Sequence, residues 1–290
     1  MTTTAEAQGY RVTCIAKTRH PYGGPTLTTL TCRYPRFIHS QVLTHRAFSR
    51  NAASNRAMPF EAVVEAVQRD PVRPLLWESD KKGMVGGVVL SGEDAIEAKC
   101  AWVDAMLSAV DAAQRLHEIG VHHQIVNRIL EPYQWITTII TATEWDNFFD
   151  LRCADDAQPE IQHLACLMRQ VVEGAEFTGD GAEHLPFITP EDMESHAVTP
   201  LLLASAGRCA RVSYLQHDGA VDIGRDIALG RRLLRSGHWS PFEHQAWADE
   251  SLEGSATQLL RWANLRGWLQ FRHAPEALKR AQEMVVREAA

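Results

Sequence analysis

An α/β fold, a mixed sheet flanked by helices, is predicted by three stretches of this 290-residue chain. Residues 11–32 are rich in Thr and branched side chains and are broken once by Pro21-Tyr22-Gly23-Gly24-Pro25, the pattern of two strands around a turn. From Ser91 onward, Ile96, Val103, Met106, Leu107, Val110 and Leu116 recur at helical spacing behind a start, Ser91-Gly92-Glu93-Asp94, that reads as a capping box. Residues 222–236 carry a further helical pattern. At 45% hydrophobic and 22% charged residues the chain is globular and long enough to bury a proper core.

Between these landmarks the elements follow in order. Tyr34-Pro35-Arg36 opens a helix near Phe37, with Pro pre-set for the first turn, and a continuing helix places Gln41, Thr44, His45 and Phe48 on one face. Residues 70–87 hold Pro, Gly and charge without period and read as a loop beside a site or as a lid. A second apolar helical region is expected over 123–149, interrupted at Pro132. Residues 177–200, rich in Pro, Gly and acids, read as a linker, followed by a small-residue helix start at Leu201. The segment 264–272 is either a further ligand element or a packing helix.

The formal charge of −7 argues against nucleic acid as a partner, because extended phosphate binding needs a basic surface. The six cysteines, Cys14, Cys32, Cys100, Cys153, Cys166 and Cys209, form no C-x-x-C pair, which fits reduced thiols and a cytoplasmic protein. The first residues lack a basic start and an apolar stretch, and no segment approaches a membrane span. His117, Glu118, His122 and His123 match no zinc spacing, so no metal is expected. G-x-S-x-G, G-x-G-x-x-G and Walker patterns are all missing, which leaves a nucleotide to bind outside the usual Gly-rich cradles.

The chemistry concentrates in residues 44–56, where Arg46, Arg50 and Arg56 are interleaved with His45, Ser49, Asn51, Ser54 and Asn55. Guanidinium forks with short hydroxyl and amide groups are what a phosphate or a pyrimidine edge requires. Two further arginines, Arg128 and Arg152, stand in apolar surroundings, where a guanidinium needs a partner to offset its desolvation.

Three clusters resemble one family. Gln41-Val42-Leu43-Thr44-His45-Arg46-Ala47-Phe48-Ser49-Arg50-Asn51-Ala52-Ala53-Ser54-Asn55-Arg56 is similar to Q-x-x-R-H-R-x-x-S-x-N-E-x-S-x-R of the flavin-dependent thymidylate synthases, known as ThyX. Arg128 to Pro132, Asn147 to Arg152 and Ala157 to Ile161 are similar to that family's R-x-x-L-P, N-F-x-x-L-R and A-Q-x-E-I. Ala210 to Tyr214 and His238 to His244 are similar to A-R-V-S-Y and H-x-S-P-F-E-H. In the usual order this third cluster comes first, so the chain reads as a circular permutation, one catalytic domain over 1–290 with a divergent insertion around 59–120.

The resemblance implies reductive C5-methylation of a uridylate, with methylenetetrahydrofolate as carbon donor, FAD as bound cofactor and NADPH as reductant. It implies that Gln41, Ser54, Asn55, Arg56, Arg128 and Arg152 bind the nucleotide, and that His45, Arg46, Asn51, Asn147, Ser213 and His244 contact FAD, with Arg152 and His45 closest to the chemistry. It implies a homotetramer whose active sites are shared between subunits. The chain departs from the pattern at Thr44, where Arg is usual, at Ala52, where Glu is usual, and at Ala57, where an aromatic commonly follows. Loss of the carboxylate at 52 leaves tolerance for a ribose 2'-hydroxyl, so UMP is expected beside dUMP. The rival reading is a silent nucleotide or flavin sensor that kept the pocket and lost turnover. An RNA uridine methylase is disfavoured by the acidic charge.

Overall fold

The computed structural model describes residues 3–212, 222–250, 264–274, 281 and 283. Its frame is a five-stranded sheet in the order β1-β2-β3-β5-β4, antiparallel throughout and not the mixed sheet expected, built from β1 (Thr4–Ala7), β2 (Tyr10–Thr18), β3 (Leu27–Pro35), β4 (Ser49–Ala52) and β5 (Trp135–Ala142). The β1-β2 hairpin closes over Gln8 and Gly9, both at positive φ (52° and 83°), the backbone that a two-residue turn between twisted strands requires. A Cβ at Gly9 would fall 2.5 Å from the Trp135 ring, so the position is closed to larger residues on two counts. The expected strand pair around the Pro-Gly break is present as β2 and β3.

Residues 123–149 are not one interrupted helical region. α4 (His123–Ile129) ends before Pro132, and β5 then runs through the centre of the sheet, paired to β3 on one side and β4 on the other. The run Ile136-Thr137-Thr138-Ile139-Ile140-Thr141 is β-branched throughout. A strand covered on both faces shows no alternation, which is why its period misleads.

The helix near Phe37 also departs from expectation. A 3-10 turn (Arg36–Ile38) leads into α1 (His39–Leu43), which stops at Thr44, whose hydroxyl folds back onto the Gln41 carbonyl at 2.6 Å. The chain then enters β4, so the arginine-rich segment is a turn and a strand. His45 and Phe48 still approach, with ring centroids 6.0 Å apart.

One sheet face packs on α5 (Asp146–Arg152) and α6 (Pro159–Gly174), whose Ile161, Leu164, Ala165, Met168 and Val171 fall at helical spacing against Val12, Cys14, Leu30 and Ile140. A separate cluster joins α2 (Phe60–Arg69), α3 (Gly92–Glu118) and α4 through Val63, Val67, Met106, Val110, Ala113 and Val126. In α3, Ile96 and Leu107 of the expected stripe are exposed, and Ser91 makes no side-chain cap bond; Met106, Val110 and Ala113 carry the buried face.

The opposite sheet face meets a second sheet, β6 (Glu183–His184), β7 (Ala246–Ala248) and β8 (Trp268–Gln270), and the pair α8 (Val198–Arg211) and α9 (Ile223–Arg235). Residues 177–200 are thus more than a linker, since they supply β6, the short α7 (Pro190–Ser195) and the fully buried His184. Segment 264–272 is β8 and the start of a 3-10 turn (Phe271–His273), a packing element that contributes Trp268 and Phe271 to the core.

Candidate active site

β4 divides the signature segment between its two faces. Ser49 and Asn51 are buried against the C-terminal elements, whereas the Arg50 guanidinium turns back to brace the Leu43 and His45 carbonyls at 2.8 and 2.9 Å. Asn51 donates to the Cys209 carbonyl at 2.9 Å and accepts from Ser240 Oγ at 3.5 Å. Ser49 Oγ meets Asn264 and accepts from Gln270 Nε2 at 2.8 Å.

Beyond the strand lies a cleft of about 690 Å³. Asn51, Ser54 and Arg56 form one wall, and Ala210, His238 and Ser240 another. Ser54 caps the 3-10 turn (Asn55–Ala57) by accepting from the Arg56 amide, while the Arg56 side chain is exposed to the cleft. Among the described residues lining it there is no carboxylate, so its charge favours an anion. Two of the three departures from the signature, Ala52 and Ala57, line this same cleft.

A second cluster forms around His45. Arg152, in the last turn of α5, donates from Nε to His45 Nε2 at 2.9 Å, and Phe148 meets the imidazole edge to face at 4.7 Å between centroids. Burial, then the positive charges of Arg152 and Arg50, hold His45 down to about 4, so the ring is neutral near pH 7 and can accept from the guanidinium. The two terminal nitrogens of Arg152 have no protein partner among the described residues, which leaves its fork for a planar acceptor. Gln41, on α1, donates to Gln158, which in turn donates to the buried Glu160 at 2.8 Å.

The remaining assignments divide. Arg128 is not a buried cation: its side chain is 53% exposed and pairs with Glu131 at 2.8 Å. Glu131 gathers three donors on one oxygen, Arg128, Arg36 at 3.1 Å and the buried Asn55 at 2.9 Å, so Asn55 faces the protein and has a structural partner. Arg46 and Asn147 are exposed, and Ser213 lies outside the described residues. His244 is fully buried, with Nδ1 2.8 Å from Thr141 Oγ1, and burial pushes it down to about 3. The structure therefore brings Asn51, Ser54 and Arg56 together on one cleft, pairs Arg152 with His45, and ties Gln41 to Gln158.

Sequence reasoning assigned no role to His238, Ser240, Gln158 or Glu131. The first two stand within the segment similar to H-x-S-P-F-E-H, which was the available signal. Glu131 and Gln158 gain meaning only from the pairings the fold creates. Arg211 of the A-R-V-S-Y-like segment binds Asp226 at 2.9 Å, together with Arg208 at 2.8 Å, and so secures the α8 end that reaches the cleft. Among the described residues no three His, Cys, Asp or Glu groups are arranged to hold a metal ion, and no helix is long and apolar enough to cross a membrane.

An antiparallel-sheet α/β protein with an anion-favouring cleft and a separate guanidinium-imidazole pair is the class that fold and site define. Residues 25–175 match the family described as thymidylate synthase complementing protein, and the chain belongs to that family, the flavin-dependent thymidylate synthases. The match contains Gln41 through Arg152 and stops before the third cluster. Among solved structures, the UMP/dUMP methylase PolB from Streptomyces cacaoi bound with 5-Br dUMP is similar at 22% identity and a TM-score of 0.39, covering 51% of this chain and 65% of that one. The same methylase bound with 5-Br UMP gives 22% identity and a TM-score of 0.41, over 51% and 69% of the two chains. No curated protein matches the chain in sequence.

Proposed function

We propose that the protein carries out reductive C5-methylation of a uridylate, dUMP and also UMP, with methylenetetrahydrofolate and NADPH as co-substrates and FAD as bound cofactor. The observation that carries this reading is the meeting of the signature segment and the H-x-S-P-F-E-H-like segment on the walls of one cleft whose described lining residues include no carboxylate. Their contact also supports reading the chain as a circular permutation, since Asn51 reaches Cys209 and Thr141 reaches His244 although the partners lie far apart in sequence.

The donor set fits the cofactor and the nucleotide. Ser54 and Arg56 hold a phosphate, because a hydroxyl and an exposed guanidinium offer a compact and a charged donor to the same anion. Arg152 presents its fork to the uracil carbonyl edge and stabilises negative charge as it builds on the pyrimidine, while neutral His45 fixes the plane of that fork. Gln41, held by Gln158, orients the base, and Arg128, half-exposed and anchored by Glu131, is left to meet the nucleotide, while Asn55 supports it from within the protein through the same carboxylate. His45, Arg46, Asn51, Asn147, Ser213 and His244 would hold FAD, which when bound supplies the hydride chemistry. The absence of a carboxylate at Ala52 leaves room beside the ribose, which supports acceptance of UMP.

Arg56 lines the cleft and Arg152 is not among its lining residues, and a homotetramer with shared sites would join Arg56 of one subunit to Arg152 of another. The test is a visible absorption spectrum of the purified protein followed by titration with dUMP and UMP, then product analysis with methylenetetrahydrofolate and NADPH. Flavin bands perturbed by both nucleotides and C5-methylated product are expected. A protein without flavin affinity and without product would overturn the assignment, and strict dUMP use would remove UMP from it.

A further inference from the structure

A continuous line of buried polar groups crosses the molecule from β2 to the C-terminal elements. Thr18 Oγ1 lies 2.7 Å from His184 Nδ1, and His184 Nε2 lies 2.8 Å from Thr29 Oγ1. Thr29 Oγ1 lies 2.7 Å from Thr141 Oγ1, its partner across the β3-β5 ladder, and Thr141 Oγ1 lies 2.8 Å from His244 Nδ1. All five residues are buried, at 3% exposure or less. Beyond the line, His244 Nε2 is buried and has no hydrogen-bond partner among the described residues.

Proton counting limits the arrangements that fill all four bonds to four, two concerted and two mixed. Each hydroxyl has one hydrogen, and each neutral imidazole carries one N–H. In the first concerted arrangement Thr29 donates to Thr141, Thr141 donates to His244 Nδ1, Thr29 accepts from His184 Nε2–H, and Thr18 donates to His184 Nδ1. If Thr29 donates instead to His184 Nε2, every bond reverses. Both rings then carry the proton on Nε2 in the first arrangement and on Nδ1 in the second; in the two mixed ones His184 is protonated on Nε2 and His244 on Nδ1, and the hydrogen of Thr29 or of Thr141 is left out of the line. Burial keeps both rings neutral, as the counting requires, by holding each down to about 3.

The stranded groups choose among them. His184 is the sole partner of Thr18 Oγ1 among the described residues, so the reversed arrangement strands a buried hydroxyl hydrogen at Thr18 and a bare lone pair on His244 Nε2, and each mixed one strands a buried hydroxyl hydrogen at Thr29 or Thr141 with the same lone pair. The forward arrangement strands one group only, the Nε2–H of His244. We infer that Thr18, His184, Thr29 and Thr141 act as one relay of positioning residues that holds His244 as its Nε2–H tautomer, a donor left free for an acceptor oxygen of the bound cofactor or nucleotide. The ligand-facing part rests on the function proposed above; the tautomer does not.

The experiment uses the full chain, freed of flavin and labelled with 15N in its histidines, with the His184 and His244 ring signals assigned from the His184→Gln and His244→Gln variants. Ring-nitrogen NMR near neutral pH is expected to find both rings protonated on Nε2. One ring on Nε2 and the other on Nδ1 would overturn the relay, as would both on Nδ1. With Thr141→Val the His244 ring is expected to lose its single tautomer while His184 stays folded in place, and Thr141→Ser is expected to restore it. In FAD binding, Thr141→Val should weaken affinity about tenfold and Thr141→Ser by less than about twofold; equal losses in both would overturn the positioning role. An unsubstituted protein that shows the shared tautomer but no flavin affinity supports the relay and refutes the functional reading instead.

Discussion

His45 and Arg152 owe their properties to each other. The imidazole stays neutral because it is partly buried and because a guanidinium donates to it, and the guanidinium is oriented because the imidazole can only accept. Arg152→Ala is expected to raise the His45 titration back toward 6.5, read by ring-proton NMR, and to weaken uridylate binding by about ten- to a hundredfold. Unchanged nucleotide affinity would remove Arg152 from the site.

The buried histidines also set a pH dependence. His184 and His244 take a proton near 6.5 when the chain is unfolded and only near 3 when folded, so below about 6.5 the unfolded chain binds more protons. Stability is therefore full above that value and falls with pH, by about 1.4 kcal/mol per pH unit for each ring until the folded value is reached. Urea midpoints measured from pH 7 to pH 5 should drop steadily; a flat or rising profile would contradict the neutral burial of these rings.

At the scale of elements, the close approach of α8 and α9 holds one wall of the cleft. A Cβ at Gly230 would lie 2.1 Å from the Leu203 carbonyl oxygen, and one at Gly207 would lie 2.3 Å from that of Asp226. Both neighbours are main chain, so the helices must separate to admit a methyl group. Gly230→Ala is expected to cost about 1–3 kcal/mol and to lower Tm by ~5 °C in thermal unfolding, whereas Gly174→Ala, with nothing near its Cβ, should leave it within a degree or so. The separation would also disturb the Arg208 and Arg211 pairs to Asp226 that secure the end of α8.

For the whole molecule, the proposed shared site makes a prediction about which chain supplies Arg56 and which Arg152. Arg56→Ala and Arg152→Ala are each expected to abolish activity alone. Mixed and reassembled, the two variants should recover about a quarter of the wild-type rate, the fraction of sites that draw an intact Arg56 from one chain and an intact Arg152 from another. No recovery after verified subunit exchange would mean that both arginines act within one chain.

Local chemistry was legible where it is written in residue type. The signature segment, the Asn147 to Arg152 run and the segment around His244 could be singled out without a fold, because clustered guanidinium, amide, hydroxyl and imidazole groups are visible in residue type alone. The helix expected over 123–149 failed because β5 is covered on both faces, so its apolar and β-branched residues carry no strand period. The helical face expected for Gln41 to Phe48 failed because Thr44 closes the turn against its own backbone. Arg128 looked buried because its sequence neighbours are apolar, yet α4 directs it outward to Glu131.

The amino-acid sequence by itself determined the family, the donor groups and the order of the clusters along the chain. Only the tertiary structure decided which donors share a surface, which arginine is paired internally and how His244 connects through threonines to His184. Those outcomes depend on strand order and register, properties of contacts between residues more than a hundred positions apart, which no local pattern of side chains encodes.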